Sequence, residues 1–214
     1  MKLDHPLSYF YPQTRKVLTD HNGELELTLI NGSLVLDSAN SNYSFGSLQR
    51  ILKYGLQQFP MKEIQSVLLL GLGGGSVIAT LRKDFQFKNQ ITAVEFDKKV
   101  IAIARDEFGI TTDAQTTIIY EEASRFLLNN NQQFSLIIID LFIGDEVPEQ
   151  FYKNPFWNEV IRHTEKNGTI LFNAAMKPVS VLGEVTAFLE DFKVTLYERV
   201  AGSNTLLIAH RNVF

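Results

Sequence analysis

Apolar and polar positions along the chain follow two regimes. Between residues 13 and 38 they alternate. Glu24-Leu25-Glu26-Leu27-Thr28-Leu29 puts its leucines on one face of a strand, flanked by the hairpin turn pairs Asn22-Gly23 and Asn31-Gly32. This predicts a small antiparallel meander, too thin to bury a core alone, that leans on the rest of the chain or on a second subunit. From residue 67 onward continuous apolar runs take over. Val67-Leu68-Leu69-Leu70, Ile91-Thr92-Ala93-Val94 and residues 116–120, 134–139 and 169–172 read as strands buried on both faces. Helical periodicity separates them. Ahead of the first run, Phe45, Leu48, Leu52, Leu56 and Phe59 mark a helix over residues 44–59 that Pro60 stops. Another helix starts after the N-cap Asp97, with Val100, Ile101, Ala104 and Phe108 on its face, and a further one lies near residues 156–163.

The end of the chain breaks the alternation. Residues 181–189 read as a helix, and 192–199 and 205–210 as strands. Residues 200–204 are too few for a crossover helix, so these last two strands pair antiparallel. The expected fold class is α/β: a seven-stranded, doubly wound, mostly parallel sheet with an antiparallel last strand, preceded by the meander. The expected division is a meander over residues 1–42 and a Rossmann-like domain over 43–214.

The chemistry gathers where the first buried strand ends. In Gly71-Leu72-Gly73-Gly74-Gly75-Ser76 the glycines let the backbone turn sharply and approach a ligand, and the following helix aims free N–H groups over the turn. About 20 residues further on, Glu95 stands at the tip of the next strand, placed to accept ribose hydroxyls. A nucleoside-type ligand is expected here. A nicotinamide dehydrogenase fits less well, because the closing hairpin is foreign to that pattern.

Composition narrows the field. A net charge of −4 argues against a partner that must have its phosphates neutralised, so no nucleic acid is expected. The chain has no cysteine, which excludes disulfides and thiol chemistry, and His5, His21, His163 and His210 are too scattered to suggest a metal site. Lys2, Asp4, His5 and Pro6 interrupt any signal-peptide pattern, and no apolar run has the length of a membrane span. A cytoplasmic location away from membranes is the expectation.

Taken together, the meander, the glycine turn, Glu95, the Glu122-Ala123 pair, Asp140-Leu141-Phe142 and the closing hairpin resemble the spermidine-synthase-like branch of the class I S-adenosylmethionine-dependent methyltransferase fold. The resemblance implies a last strand inserted antiparallel between the fifth and sixth. It implies that Gly71, Gly73, Gly74 and Gly75 hold the amino-acid or aminopropyl side of an adenosyl sulfonium donor, that Glu95 holds its ribose, and that Glu122 with Ala123 recognises adenine. Asp140 matches the acid that holds an acceptor amine and is the candidate catalytic group. Tyr43, Gln49, Phe142 and Asp145 are candidates for the acceptor pocket, and Asn173, just past the fifth strand, points the same way.

This chain departs from the branch at two positions. Gly74 and Ile143 stand where spermidine synthases carry acids that face ammonium groups. Each such charge-assisted contact is worth about 1.5–3 kcal/mol. The expectation therefore leans to S-adenosylmethionine as donor and methyl transfer to a small acceptor, an amine by the resemblance. Aminopropyl transfer from decarboxylated S-adenosylmethionine, making a polyamine, is the alternative, and a non-catalytic donor-binding or interaction protein is another. A homodimer is compatible with the thin meander and with the family.

Overall fold

A computed structural model describes residues 6–38, 42–144 and 146–211, without the side chains of residues 42 and 43. Strands β1 (Gln13–Leu18), β2 (Glu24–Ile30), β3 (Ser33–Ser38) and the short β4 (Asn42–Ser44) form a four-stranded antiparallel sheet in sequence order. Asn31 and Gly32 both have positive φ, 49° and 71°, which is the two-residue hairpin geometry that the Asn-Gly pair favours. The Asn22-Gly23 signal marks a longer turn: β1 and β2 separate after the Leu18–Glu24 pair, and residues 19–23 form a loop. Leu25, Leu27 and Leu29 are buried, and with Leu36 the first two pack against Val100 and Ile103 of helix α3 (Lys98–Phe108). The meander thus leans on the main domain of its own chain.

Helix α1 (Gly46–Leu56) is shorter than the periodicity predicts. Phe45 adopts a φ of 66° at its N-cap and stacks on Phe108 with ring centroids 4.4 Å apart, so the helix cannot extend back through residues 44 and 45. The main sheet then runs through β5 (Ser66–Leu70), β6 (Gln90–Glu95), β7 (Thr116–Tyr120), β8 (Phe134–Ile139), β9 (Thr164–Asn173), β10 (Phe192–Val200) and β11 (Asn204–Arg211). Its order is β10-β11-β9-β8-β5-β6-β7, with β11 antiparallel to both its neighbours. This is the expected seven-stranded α/β sheet.

Alternate residues of the central strands serve two cores. Val67, Leu69, Ile138 and Leu171 face α1 and α2 (Ser76–Lys83). Leu68, Leu70, Ile137 and Phe172 face α4 (Ala123–Asn129) and α5 (Asn154–His163). The sheet is covered on both sides, which is why its strands read as unbroken apolar runs. The predicted helix over 181–189 is a 3-10 turn, Val179–Leu182, followed by the five-residue α6 (Gly183–Ala187). Trp157 is fully buried, donates its indole N–H to the Phe151 carbonyl at 3.0 Å and meets Phe172 edge-on at 5.5 Å. Among the described residues no helix is long and apolar enough to cross a membrane.

Candidate active site

The carboxyl ends of the parallel strands meet at a cavity of about 250 Å³, where ligands bind in doubly wound sheets. Its lining follows the sheet order. Glu121 and Ala123 follow β7, Glu95 and Phe96 end β6, Gly71 and Gly73 follow β5, and Asp140, Leu141 and Phe142 follow β8. Ala175 and Met176 follow β9, Ser203 precedes β11 and Asn204 opens it, and Ser47, Leu48 and Ile51 of α1 cover one side.

The glycine turn is built for close approach. Gly71, Gly73 and Gly75 have φ of 94°, 53° and 86°, a region that strains any side chain. A Cβ on Gly71 would sit 2.1 Å from the Asp140 carbonyl oxygen, and one on Gly75 would sit 2.5 Å from Ile110. Gly74 lacks the positive φ, but its side-chain direction is occupied. A Cβ there would lie 3.0 Å from the Cβ and Oγ of Ser44 and 3.2 Å from Phe108. A side chain at residue 74 would need Ser44 and Phe108 to give by a few tenths of an ångström.

Glu95 is buried, and its carboxylate accepts four backbone N–H groups. Leu72 and Gly73 donate to Oε2 at 3.2 and 3.3 Å, and Phe96 and Asp97 donate to Oε1 at 3.0 Å each. Burial nevertheless outweighs these donors and pushes its pKa up to about 7. The next acid, Asp97, caps α3 by accepting from the N–H groups of Lys99 and Val100, and it also accepts from the His21 N–H at 2.8 Å. This bond, with the His21 ring stacked on Phe96 at 4.8 Å, ties the loop of residues 19–23 to the cavity wall.

Asp140 is held differently. Loss of surrounding water pushes its pKa up to about 7, opposed by one hydrogen bond, from Asn173 Nδ2 to Oδ1 at 2.9 Å. The Asn173 side-chain oxygen, Oδ1, accepts from the Ala175 N–H at 3.2 Å and from Asn204 Nδ2 at 2.9 Å. Two donors on that oxygen fix the amide so that its NH₂ faces Asp140. Ser203 Oγ donates to Asn204 Oδ1 at 2.8 Å, so the relay begins in the terminal hairpin.

Of the residues singled out in the sequence, Gly71, Gly73, Glu95, Ala123, Asp140 and Phe142 line this one cavity. Others stand outside its lining for definable reasons. Gly75 N–H closes the turn onto the Leu72 carbonyl, and Gly74 lies under Ser44. Glu122, expected to face adenine, is engaged as the N-cap of α4, accepting from the Arg125 N–H at 2.9 Å. Its neighbour Glu121 lines the cavity and pairs with Arg125 at 3.2 Å. Gln49 donates to Thr80 Oγ1 at 3.0 Å, joining α1 to α2. The Tyr43 side chain and Asp145 lie outside the described residues. Sequence reasoning passed over Ser203 and Asn204, because only the antiparallel insertion of β11 brings that hairpin beside β9.

A family model described as spermine/spermidine synthase domain matches residues 51–195. A polyamine aminopropyltransferase of Clostridium beijerinckii is 28% identical over 119 residues, covering 54% of this chain and 41% of the relative. One from Sulfolobus acidocaldarius is 25% identical over 154 residues, covering 68% and 49%. The chain thus spans less than half the length of these relatives. The solved structure of spermidine synthase from Thermotoga maritima superposes with a TM-score of 0.65 at 14% identity, covering 94% of this chain and 74% of that one, a likeness of fold.

Proposed function

We propose that this chain, which belongs to the spermine/spermidine synthase domain family, transfers an aminopropyl group from decarboxylated S-adenosylmethionine to a small amine. The observation that carries the reading is Asp140. It faces the cavity next to the glycine turn, and its pKa of about 7 suits a proton acceptor at neutral pH. An amine with a solution pKa near ~10 arrives as an ammonium. Asp140 attracts that charge, orients the nitrogen and takes its proton. The freed nitrogen lone pair forms the new C–N bond while the C–S bond breaks, its electron pair leaving with sulfur as a neutral thioether. The donor contributes an already electrophilic carbon, so the protein's work is alignment, proton removal and exclusion of water.

The cradle of Gly71 and Gly73 with Glu95 fits the adenosyl part of such a donor. Because all four Glu95 contacts are backbone N–H groups of its own chain, accepting ribose hydroxyls requires the carboxylate to give up or share some of them. Methyl transfer, the expectation drawn from Gly74 and Ile143, is the second reading. The packing of Ser44 and Phe108 over Gly74 favours it, whereas both relatives named above are aminopropyltransferases.

Incubating the chain with an amine and either donor, and assaying the nucleoside by-product, decides between them. The thioether from the decarboxylated donor is the expected product. Turnover with S-adenosylmethionine alone would establish methyl transfer instead. Turnover with neither, over a panel of amines, would leave a donor-binding or interaction protein.

A further inference from the structure

We infer that Asn173 is a positioning residue for the transfer, locked so that it occupies Oδ1 of Asp140 and leaves Oδ2 to meet the amine and take its proton. This rests on the transferase reading above. Asn173 is fully buried behind the cavity lining and reaches the acceptor only through Asp140. An amide can be seated two ways round, and only one of them offers an N–H to a carboxylate. The reversed seating would set the amide oxygen against Asp140 and the NH₂ against two donors.

Those two donors come from different segments. One is the N–H of Ala175, which can only donate, so it settles which end of the amide faces it. Ala175 is a non-glycine residue at φ 54°, and this strained turn is what folds its N–H back onto the Asn173 side chain. Thr205 of β11 holds the turn from both sides: its carbonyl accepts from the Ala174 N–H at 3.0 Å, and its N–H donates to the Ala175 carbonyl at 2.7 Å. The second donor is Asn204 Nδ2, and Asn204 is itself held by Ser203 Oγ. Strand β11 therefore secures both. No described residue donates to Oδ2 of Asp140, so that oxygen keeps its lone pairs for the cavity. The other acids on this cavity are Glu95 and Glu121, with Glu146 on the loop after β8, and no cationic side chain is among the described lining residues. Asn173 is thus the described group that favours the ionised form of Asp140.

Asn173→Leu keeps the volume and removes the N–H. The acid limb of its kcat/KM profile is expected to move up by about one pH unit, so that the rate falls about fivefold at pH 7 and largely recovers by pH 9. Asn204→Leu should move the limb the same way by less. Carbon NMR of the ligand-free chain, with the Asp140 signal assigned through Asp140→Asn, should show the same upward titration. A limb and a carboxyl titration that stay in place in both variants, with cooperative melting retained, would overturn the inference. So would a rate loss equal at every pH, the mark of a merely structural role. Should Asn173→Leu fail to fold, Asn204→Leu decides alone. If the unmodified chain transfers nothing, the transferase reading falls and takes the inference with it; if it does transfer and the titration does not move, only the inference falls.

Discussion

The acids at the tips of β6 and β8 arrive at the same pKa, about 7, by different routes. Glu95 is the more deeply enclosed, and four backbone N–H groups work against its burial. Asp140 has a single side-chain amide, itself positioned by Asn204. Backbone donors come with the fold and can be removed only by remaking a turn. A side-chain donor can be edited one residue at a time. The β6 side of the cavity is therefore rigid in its chemistry, and the β8 side is adjustable; in the proposed reaction these are the donor and acceptor halves.

The largest effect should come from separating the halves. Asp140→Asn is expected to lower kcat by about 10²–10⁴ while changing donor affinity only a few-fold, as single-turnover and calorimetric measurements would show. Equal loss of donor binding would mean the two halves are not independent. Gly71→Ala attacks both at once, since its Cβ would meet the Asp140 carbonyl at 2.1 Å in a left-handed backbone. About 3 kcal/mol of stability should be lost, visible as a lower midpoint in denaturant. Glu95→Ala is expected to weaken donor binding by roughly 10–100-fold, with little change in the rate of the bound complex.

The pH dependence sharpens the contrast further. Both acids titrate higher in the folded chain than the ~4 of an unfolded one, so the unfolded state releases their protons first. Their contribution to stability falls as pH rises from about 4 to about 7. Melting curves across that window should flatten when either acid is replaced by its amide. Amine affinity runs the other way and should rise as pH climbs through about 7, because only the ionised Asp140 attracts the cation. The smallest effect is expected from Asn204→Ala. Freed of one anchor, Asn173 should hold Asp140 less firmly, moving the carboxyl titration upward in carbon NMR and lowering turnover a few-fold at neutral pH.

The same division explains what was readable from the sequence. The proposed donor half is local: Ser66 to Glu95 is one strand–turn–helix–strand unit, so a spacing rule finds it. The seven strands were readable for a similar reason, since burial on both faces writes unbroken apolar runs such as residues 134–139. The proposed acceptor half is assembled from segments distant in sequence, and Asn204 reaches Asp140 through Asn173 only because β11 is inserted beside β9. Nor does a run of two acids tell which one faces the cavity. Glu122 caps α4, leaving Glu121 at the wall, and that choice depends on where the helix begins. The early stop of the hairpin register at Leu18–Glu24 was hidden likewise, because the loop it leaves is tied to Asp97.

The chain has one tryptophan, Trp157, sealed against Phe172, and Phe172 directly precedes Asn173, which holds the cavity residue Asp140. Its emission therefore comes from one defined place, two residues along that contact path from Asp140. A ligand that shifts the β9 tip should alter the intensity or wavelength of that light, and a ligand confined to the β6 and β7 side should leave it unchanged. An optical signal native to the chain can thus distinguish which half of the cavity has been filled, without any label.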